Sequence, residues 1–230
     1  MSAVAVIVAA GTGERFGNAA KVLAPLLGRP VLAWSLDAFA GSSLTTGIII
    51  VVSPHTEADV ANLLAAGTWP QVIAVVAGGE TRQHSMANGV AAVPEGTEIV
   101  LVHDAARPLV LPEDIDACIE AAVEHGGAIL AAPVIDTIKR VEHGRIAETI
   151  DRSMLWGAQT PQAFRADRMG TMAELATTGE PNITDEASLA ERLGFPVQIV
   201  VSDSTNLKIT HPHDLLIAEA ILRAREEKAS

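Results

Sequence analysis

Six short runs of consecutive apolar, largely β-branched residues punctuate the chain, at positions 4–8, 48–52, 72–76, 99–102, 129–132 and 197–201. A strand with one wet face alternates apolar and polar side chains. Continuous runs of this length instead predict strands buried on both faces, as in a parallel sheet covered by helices. Between the runs lie stretches with helix punctuation. Leu111-Pro112-Glu113-Asp114 places proline and acids in a first turn, and Gly126-Gly127 closes the same helix. Thr184-Asp185-Glu186 predicts a capped, acid-rich helix start that runs to a stop at Gly194, and Thr210-His211-Pro212 predicts the opening of a last helix toward Arg225. Strand and helix alternate, which predicts an α/β fold with a mostly parallel twisted sheet, right-handed crossovers and ligands at the carboxyl ends of strands.

One segment departs from this rhythm. Over residues 134–152, polar and apolar positions loosely alternate on either side of His143-Gly144, which predicts a protruding two-stranded arm. Such a ribbon is barely stable alone, so it is expected to pack on something, a second subunit being the natural candidate. The chain contains no internal repeat and no linker rich in Pro, Gly or Ser. A single domain spanning residues 1–230 is expected, with residues 134–153 as its arm.

Composition narrows the function. Hydrophobic residues make up 49% of the 230 and charged residues 19%, enough to build a core and too apolar for a disordered chain. Sixteen Lys and Arg against 28 Asp and Glu leave a net charge of −12, a field that repels nucleic acid and anionic lipid. Four Phe, three Trp and no Tyr offer few rings on which bases could stack. The lone Cys118 excludes a disulfide framework or cysteine-rich metal site and reads as a buried apolar residue. No apolar run approaches the roughly 18 residues of a membrane span, and no charged leader precedes the first run, so a soluble cytoplasmic protein is expected.

The candidate chemistry sits where the runs end. After the first comes Ala9-Ala10-Gly11-Thr12-Gly13-Glu14-Arg15-Phe16-Gly17, then Lys21. Glycines behind a strand let backbone N–H groups approach phosphate oxygens, and this loop adds its own cations, Arg15 and Lys21, suited to a triphosphate undergoing substitution. It is not a Walker loop, because no Gly-Lys-Ser/Thr follows. The second run ends in Ser53-Pro54, without the acid that a dinucleotide site places on its ribose. Val102-His103-Asp104-Ala105-Ala106-Arg107-Pro108 ends another run, with Asp104 placed for a metal or polar ligand and Arg107 offering a fork for phosphate. His103 reads as a structural histidine. His211-Pro212-His213 has the look of a metal pair, but with no third ligand nearby it reads as a helix start. Gly78-Gly79-Glu80-Thr81-Arg82-Gln83-His84-Ser85 could admit a flat base, its edge read by backbone groups and Ser85. Arg152, at the foot of the arm, and Lys208, before the last helix, are the remaining cations of interest.

In order along the chain, AAGTGERFG with Lys21, GGETRQHS, VHDAARP, APVIDT, IDRSMLWGAQTPQAF, ITDEAS and NLKIT resemble the motifs of the 2-C-methyl-D-erythritol 4-phosphate cytidylyltransferase family. They span Ala9 to Thr210, nearly the whole chain. The resemblance implies a single Rossmann-like domain of the nucleotide-diphospho-sugar-transferase type, forming a homodimer through interlocking arms. It implies CTP and methylerythritol phosphate as substrates, with Mg²⁺ or another divalent cation as cofactor, held mainly by the CTP phosphates with Asp104 as its protein ligand. Arg15 and Lys21 would hold the triphosphate and stabilise the transition state. Ala9, Ala10, Gly11, Gly13, Gly79, Ser85, Asp104 and Ala105 would bind the nucleotide, with Arg82 supporting their loop. Arg107 and Thr137 would bind the second substrate, and Arg152, Thr160 and Lys208 would position its phosphate. Asp203, the acid closest before Lys208, is a further metal candidate.

This reading needs no general base, because a phosphate monoester with a second pKa of about 6 is already mostly dianionic at neutral pH. Three alternatives stand beside it: a ribitol-5-phosphate cytidylyltransferase, an NAD(P)-binding oxidoreductase and a non-catalytic nucleotide-binding protein. The acidity of the chain fits anionic substrates because its cations are local. Residues 1–110 contain five basic side chains, Arg15, Lys21, Arg29, Arg82 and Arg107, and four of them lie in the motif loops.

Overall fold

The structure is a computed structural model that describes residues 1–11, 16, 21–179 and 183–229. In chain order its elements are β1 (Ala3–Val8), the short pair β2 (Pro25–Leu26) and β3 (Arg29–Pro30), α1 (Val31–Gly41), β4 (Thr45–Val52), α2 (Glu57–Ala66), β5 (Val72–Ala77), α3 (Arg82–Ala91), β6 (Ile99–Asp104) and α4 (Pro112–His125). There follow β7 (Gly127–Pro133), β8 (Lys139–Glu142), β9 (Arg145–Thr149), β10 (Trp156–Arg165), α5 (Ala166–Ala176), α6 (Glu186–Arg192), β11 (Gln198–Val201) and α7 (Asp214–Ala229). Seven strands form one sheet in the order β11-β7-β10-β6-β1-β4-β5. Strand pairs are parallel except those of β10, which runs antiparallel to β6 and β7.

The central strands are dry on both faces, as their continuous apolar runs predict. Ala3, Ala5 and Ile7 of β1 join Ile48 and Ile50 of β4 against Leu32, Leu36 and Phe39 of α1 and Ile115 and Ile119 of α4. The alternate residues Val4 and Val6, with Ile49, Val51, Val100 and Val102, meet Met86 of α3, Met169 and Met172 of α5 and Leu189 of α6. Helix α3 lies close enough that a Cβ on Gly89 would stand 2.3 Å from Val6 Cγ1, so glycine is needed at that crossing. Cys118 is buried in α4, where burial pushes its thiol up to about 12.

Two expected strands are less buried than their apolar runs imply. Strands β5 and β11 form the sheet edges, and Ile73 and Val75 of β5 stay 48% and 40% exposed. An edge strand has a neighbour on one side and incomplete helix cover. The strand no apolar run predicts is β10: its centre, Gln159-Thr160-Pro161-Gln162, is polar, yet it is inserted beside β6 and buried. Helix α4 ends at Gly126 in the left-handed conformation (φ 85°), and the Asp185 carboxylate caps α6 by accepting from Ser188 N–H at 3.0 Å. Helix α7 begins at Asp214, later than expected, because the Asp214 carboxylate accepts from the backbone N–H of Thr210 and His211, both at 2.7 Å, and turns residues 210–213 into its cap.

The arm forms as expected. Strands β8 and β9 pair antiparallel, and His143 and Gly144 both take positive φ (51° and 77°), the conformation of a two-residue hairpin turn with the twist of its strands. Every residue of the two strands is exposed. Among the described residues no helix is long and apolar enough to cross a membrane.

Candidate active site

The chain winds from β1 through β4 to β5 at one edge, then returns to place β6 on the other side of β1. The connections leaving β1 and β6 therefore diverge, opening a crevice at the carboxyl ends of these strands where the backbone cannot cover it. Register brings Val8 of β1 opposite Asp104 of β6 at the mouth of this crevice. A cleft of about 280 Å³ occupies it, lined by Ala10, Gly11, Lys21, Gly79, Glu80, Thr81, Arg82, Ser85, Asp104 and Lys208, together with Val8, Val22 and Ala106.

Close approach explains the glycines of the β5–α3 loop. A Cβ on Gly78 would lie 2.4 Å from Ala10 Cβ, and one on Gly79 would lie 2.4 Å from His84 Cβ. Thr81 caps α3 by accepting from His84 N–H, while Ser85 Oγ accepts from Gly79 N–H at 3.1 Å and donates to Thr81 C=O at 2.9 Å. Ser85 thus braces the loop from beneath while lining the cleft.

Four alternating charges form a chain that runs from the cleft into the protein behind it. Glu186, buried at the start of α6, accepts from Arg82 Nη1 at 2.7 Å and Nη2 at 3.1 Å. Arg82 Nε donates to Asp104 Oδ1 at 3.1 Å, and Lys208 Nζ donates to Asp104 Oδ2 at 2.6 Å. Burial opposes charge on Asp104, but Arg82 and Lys208 outweigh it and hold the carboxyl well below the usual range. Burial likewise works against Arg82, and Glu186 and Asp104 outweigh it, raising its pKa above the ordinary value.

Behind Asp104, Thr160 Oγ1 accepts from Asp104 N–H at 3.1 Å and bonds His103 Nδ1 at the same distance, Nδ1 being the acceptor because Nε2 of the neutral ring carries the proton facing a carbonyl. His103 Nε2 then donates to the Arg107 carbonyl at 3.2 Å. His103 is a structural histidine, as read from the sequence, and burial pushes its pKa down to about 4. The unfolded chain therefore binds one more proton than the folded state between about pH 6.5 and pH 4. The stability contributed by the neutral ring is complete above that window and is lost as pH falls through it, roughly 3 kcal/mol in all. Thermal unfolding followed by circular dichroism should show a Tm that falls from pH 7 to about pH 4.5, and His103→Gln should flatten that slope. An unchanged slope in the variant would assign the effect to other groups.

The structure gathers Ala10, Gly11, Lys21, Gly79, Arg82, Ser85, Asp104 and Lys208 into one cleft. Gly13 and Arg15 lie outside the described residues. Ala9 and Ala105 sit just beneath, their N–H groups bonded to Val51 C=O at 2.8 Å and Val8 C=O at 3.2 Å. Thr160 is buried behind Asp104. Arg107 turns away, donating to Asn206 C=O at 2.8 Å, and pins the segment that carries Lys208. Thr137 and Arg152 are exposed at the two ends of the arm and do not line the cleft. Asp203 caps its own turn by accepting from Thr205 N–H at 2.7 Å. The histidine pair at 211 and 213 does acquire a neighbouring acid that the sequence reading lacked, since Asp214 Oδ1 lies 3.3 Å from His213 Nε2; the other oxygen of Asp214 caps α7.

Sequence reasoning missed Glu186, which reads as an exposed first-turn acid, and the amides that make a polar β10 tenable. Gln162 donates to Asp185 Oδ2 at 2.9 Å and accepts from Ala187 N–H at 2.8 Å, while Asn206 donates to Gln159 Oε1 at 3.0 Å and Thr160 C=O at 3.1 Å. Gln159, Thr160 and Gln162 around Pro161, and Asp185 and Glu186 further along, are the available signal, and they identify partners only once the segments meet.

A crevice at the winding reversal of an α/β sheet, walled by a glycine-rich loop and lined by several cations, defines an enzyme that handles a phosphorylated nucleotide. The family model for 2-C-methyl-D-erythritol 4-phosphate cytidylyltransferase matches residues 3–224. A curated relative of that name from Synechococcus sp. (strain CC9902) is 46% identical over 222 residues, covering 95% of this chain and 97% of its own. Among solved structures, the 4-diphosphocytidyl-2C-methyl-D-erythritol synthase of Anaerococcus prevotii DSM 20548 superposes with a TM-score of 0.84 at 29% identity, covering 96% of each chain. The 2-C-methyl-D-erythritol 4-phosphate cytidylyltransferase of Thermus thermophilus does so with a TM-score of 0.75 at 31% identity, covering 95% of this chain and 98% of its own. The chain belongs to the 2-C-methyl-D-erythritol 4-phosphate cytidylyltransferase family.

Proposed function

We propose that the protein transfers the cytidylyl group of CTP to 2-C-methyl-D-erythritol 4-phosphate, releasing pyrophosphate and forming 4-diphosphocytidyl-2-C-methyl-D-erythritol for isoprenoid precursor synthesis. The match of the family model from residue 3 to residue 224 carries this reading. The curated relatives bear the methylerythritol name, which disfavours ribitol phosphate as acceptor.

The chemistry asks little of the protein beyond position and charge. An oxygen of the acceptor phosphate attacks the α-phosphorus of CTP, the new P–O bond forms as the bond to the β-phosphate oxygen breaks, and pyrophosphate leaves with the electron pair. The acceptor is already a dianion, so no side chain need remove a proton. Lys21 and Arg15 hold the triphosphate and neutralise the charge that develops on it, while Lys208 holds the acceptor phosphate in line. Ala10, Gly11, Gly79 and Ser85 form the pocket for cytosine and ribose.

Asp104 fits a divalent cation in its chemistry: it is a buried carboxylate at the cleft, of the hard-oxygen type that Mg²⁺ takes in company with substrate phosphates. A cation there would share Asp104 with Arg82 and Lys208. A divalent cation held there by Asp104 would supply positive charge against that of the substrate phosphates.

The arm supports a homodimer. Val141 and Ile146 leave 56% and 65% of their surface uncovered on a ribbon too small to stand alone, and Thr137 and Arg152 flank it. A second copy packed on the arm would cover these apolar side chains and receive Thr137 and Arg152 at its own cleft. The protein acts in the cytoplasm on this reading.

Pyrophosphate release measured with CTP, ATP, GTP and UTP against methylerythritol phosphate and ribitol phosphate, with and without Mg²⁺, tests the proposal. Turnover is expected with CTP, methylerythritol phosphate and Mg²⁺ together. Equal turnover with ribitol phosphate would overturn the acceptor assignment. Light scattering should give twice the chain mass, and a monomer would remove the role proposed for the arm.

A further inference from the structure

Glu186 has no place in the reaction above and does not line the cleft, yet it is fully buried and both its oxygens are committed to one cleft-lining side chain, Arg82. A buried ion pair is a weak source of stability, because desolvation consumes most of what the attraction returns. The geometry points to a different use. A guanidinium presents two edges to carboxylates, and Glu186 occupies the Nη1–Nη2 edge. Asp104 lies on the Nε side and meets it through Oδ1 alone, because the two bonds to Glu186 hold the Nη1–Nη2 edge away from it, and Oδ2 goes to Lys208 at 2.6 Å.

We infer that Glu186 is a positioning residue: by occupying the outer edge of Arg82 it keeps Arg82 from taking both oxygens of Asp104, and so holds Lys208 at the cleft. Without the charge of Glu186, the fork of Arg82 turns onto Asp104 and closes over both carboxylate oxygens. Lys208 must then share Oδ2 with a second donor and is held less firmly at the cleft. The kinetic consequence rests on the reading of Lys208 as a ligand of the acceptor phosphate; the position of Lys208 does not.

The test is carried out on the ligand-free full chain at fixed pH, by acetylation with an amine-directed reagent and peptide mass spectrometry, with Lys139 and Lys228 as internal references. In Glu186→Gln, Lys208 should be labelled at least about threefold faster than in wild type, the scale of one modest coupling between neighbouring side chains. Leu36→Ala, a cavity on the other face of the sheet, supplies a destabilised control in which Lys208 labelling should not change. Arg82→Lys keeps the charge but removes the fork that would close over Asp104, so alone it should leave Lys208 labelling near wild type, and combined with Glu186→Gln it should cancel the acceleration. Glu186→Asp, which keeps the charge but draws it one methylene back from Arg82, decides the matter if Glu186→Gln does not fold, and should shift Lys208 labelling in the same direction. Wild-type labelling of Lys208 in folded Glu186→Gln or Glu186→Asp, undiminished acceleration in the double variant, or equal acceleration in Leu36→Ala, would overturn the inference. In steady-state kinetics Glu186→Gln should raise the KM for methylerythritol phosphate more than that for CTP. Faster labelling with both KM values unchanged would leave the positioning in place and refute the assignment of Lys208 to the acceptor phosphate.

Discussion

Replacing Lys21 with alanine is expected to lower kcat by about 10²–10³, the usual loss when one preorganised electrostatic contact to a transition state is removed. The reason lies in where the charge goes. In the proposed reaction, as the bond between the α-phosphorus and the leaving oxygen breaks, negative charge accumulates on pyrophosphate, and Lys21 lines the cleft to which that proposal assigns the triphosphate. In the ground state that charge is spread over the whole triphosphate, so the KM for CTP should move less than kcat. Lys21 is half-buried, and the loss of a partly exposed cation costs about 1 kcal/mol or less, so Tm should stay within about 2–4 °C of wild type. Near wild-type turnover with an intact fold would remove Lys21 from the catalytic set.

The second large effect is on stability. Arg82→Ala removes the partner of a fully buried carboxylate and one of the two cations on Asp104. Breaking one side of such a pair leaves the other charge uncompensated and costs about 3–5 kcal/mol, against a net surplus for a domain of only about 5–15 kcal/mol. For a chain of this size Tm should fall by roughly 6–20 °C, measured by calorimetry. Arg82→Met combined with Glu186→Leu fills the same space without a stranded charge and should recover most of that loss while activity stays low. A fall of less than about 2 °C for Arg82→Ala would mean that water reaches Glu186 and that the pair is not buried in solution.

These two side chains differ in how they could be recognised. Lys21 follows a glycine loop behind an apolar run, and the chemistry of phosphate binding is local enough to be read there. Arg82 is equally visible, in GGETRQHS, but its partner is 104 residues away, and nothing in the pattern of residues 184–186 distinguishes a buried Glu186 from an exposed first-turn acid. Arg107 reads as a fork for phosphate beside Asp104, and the tertiary structure adds a contact the sequence does not display, its donation to the Asn206 carbonyl in the segment that carries Lys208. Strand β10 escaped the hydrophobic pattern because its polar centre is stabilised by partners from α6 and the segment before α7, not by its own composition.

What the residues dictated alone was whatever depends on near neighbours in the chain. The β-branched runs specified strands, Gly126 and Asp185 marked helix ends, His143-Gly144 formed the arm turn, and the glycine-bearing segments after β1 and β5 marked a cleft lined by Gly11, Lys21, Gly79 and Arg82. Tertiary structure decided what depends on distant segments meeting: which strands became edges, that β10 enters the sheet in reverse, and how Glu186, Arg82, Asp104 and Lys208 divide their charges. Helix and turn formation are governed by contacts a few residues apart, which a sequence displays. The partner of a buried charge is chosen by desolvation, which acts only after the chain has closed around it.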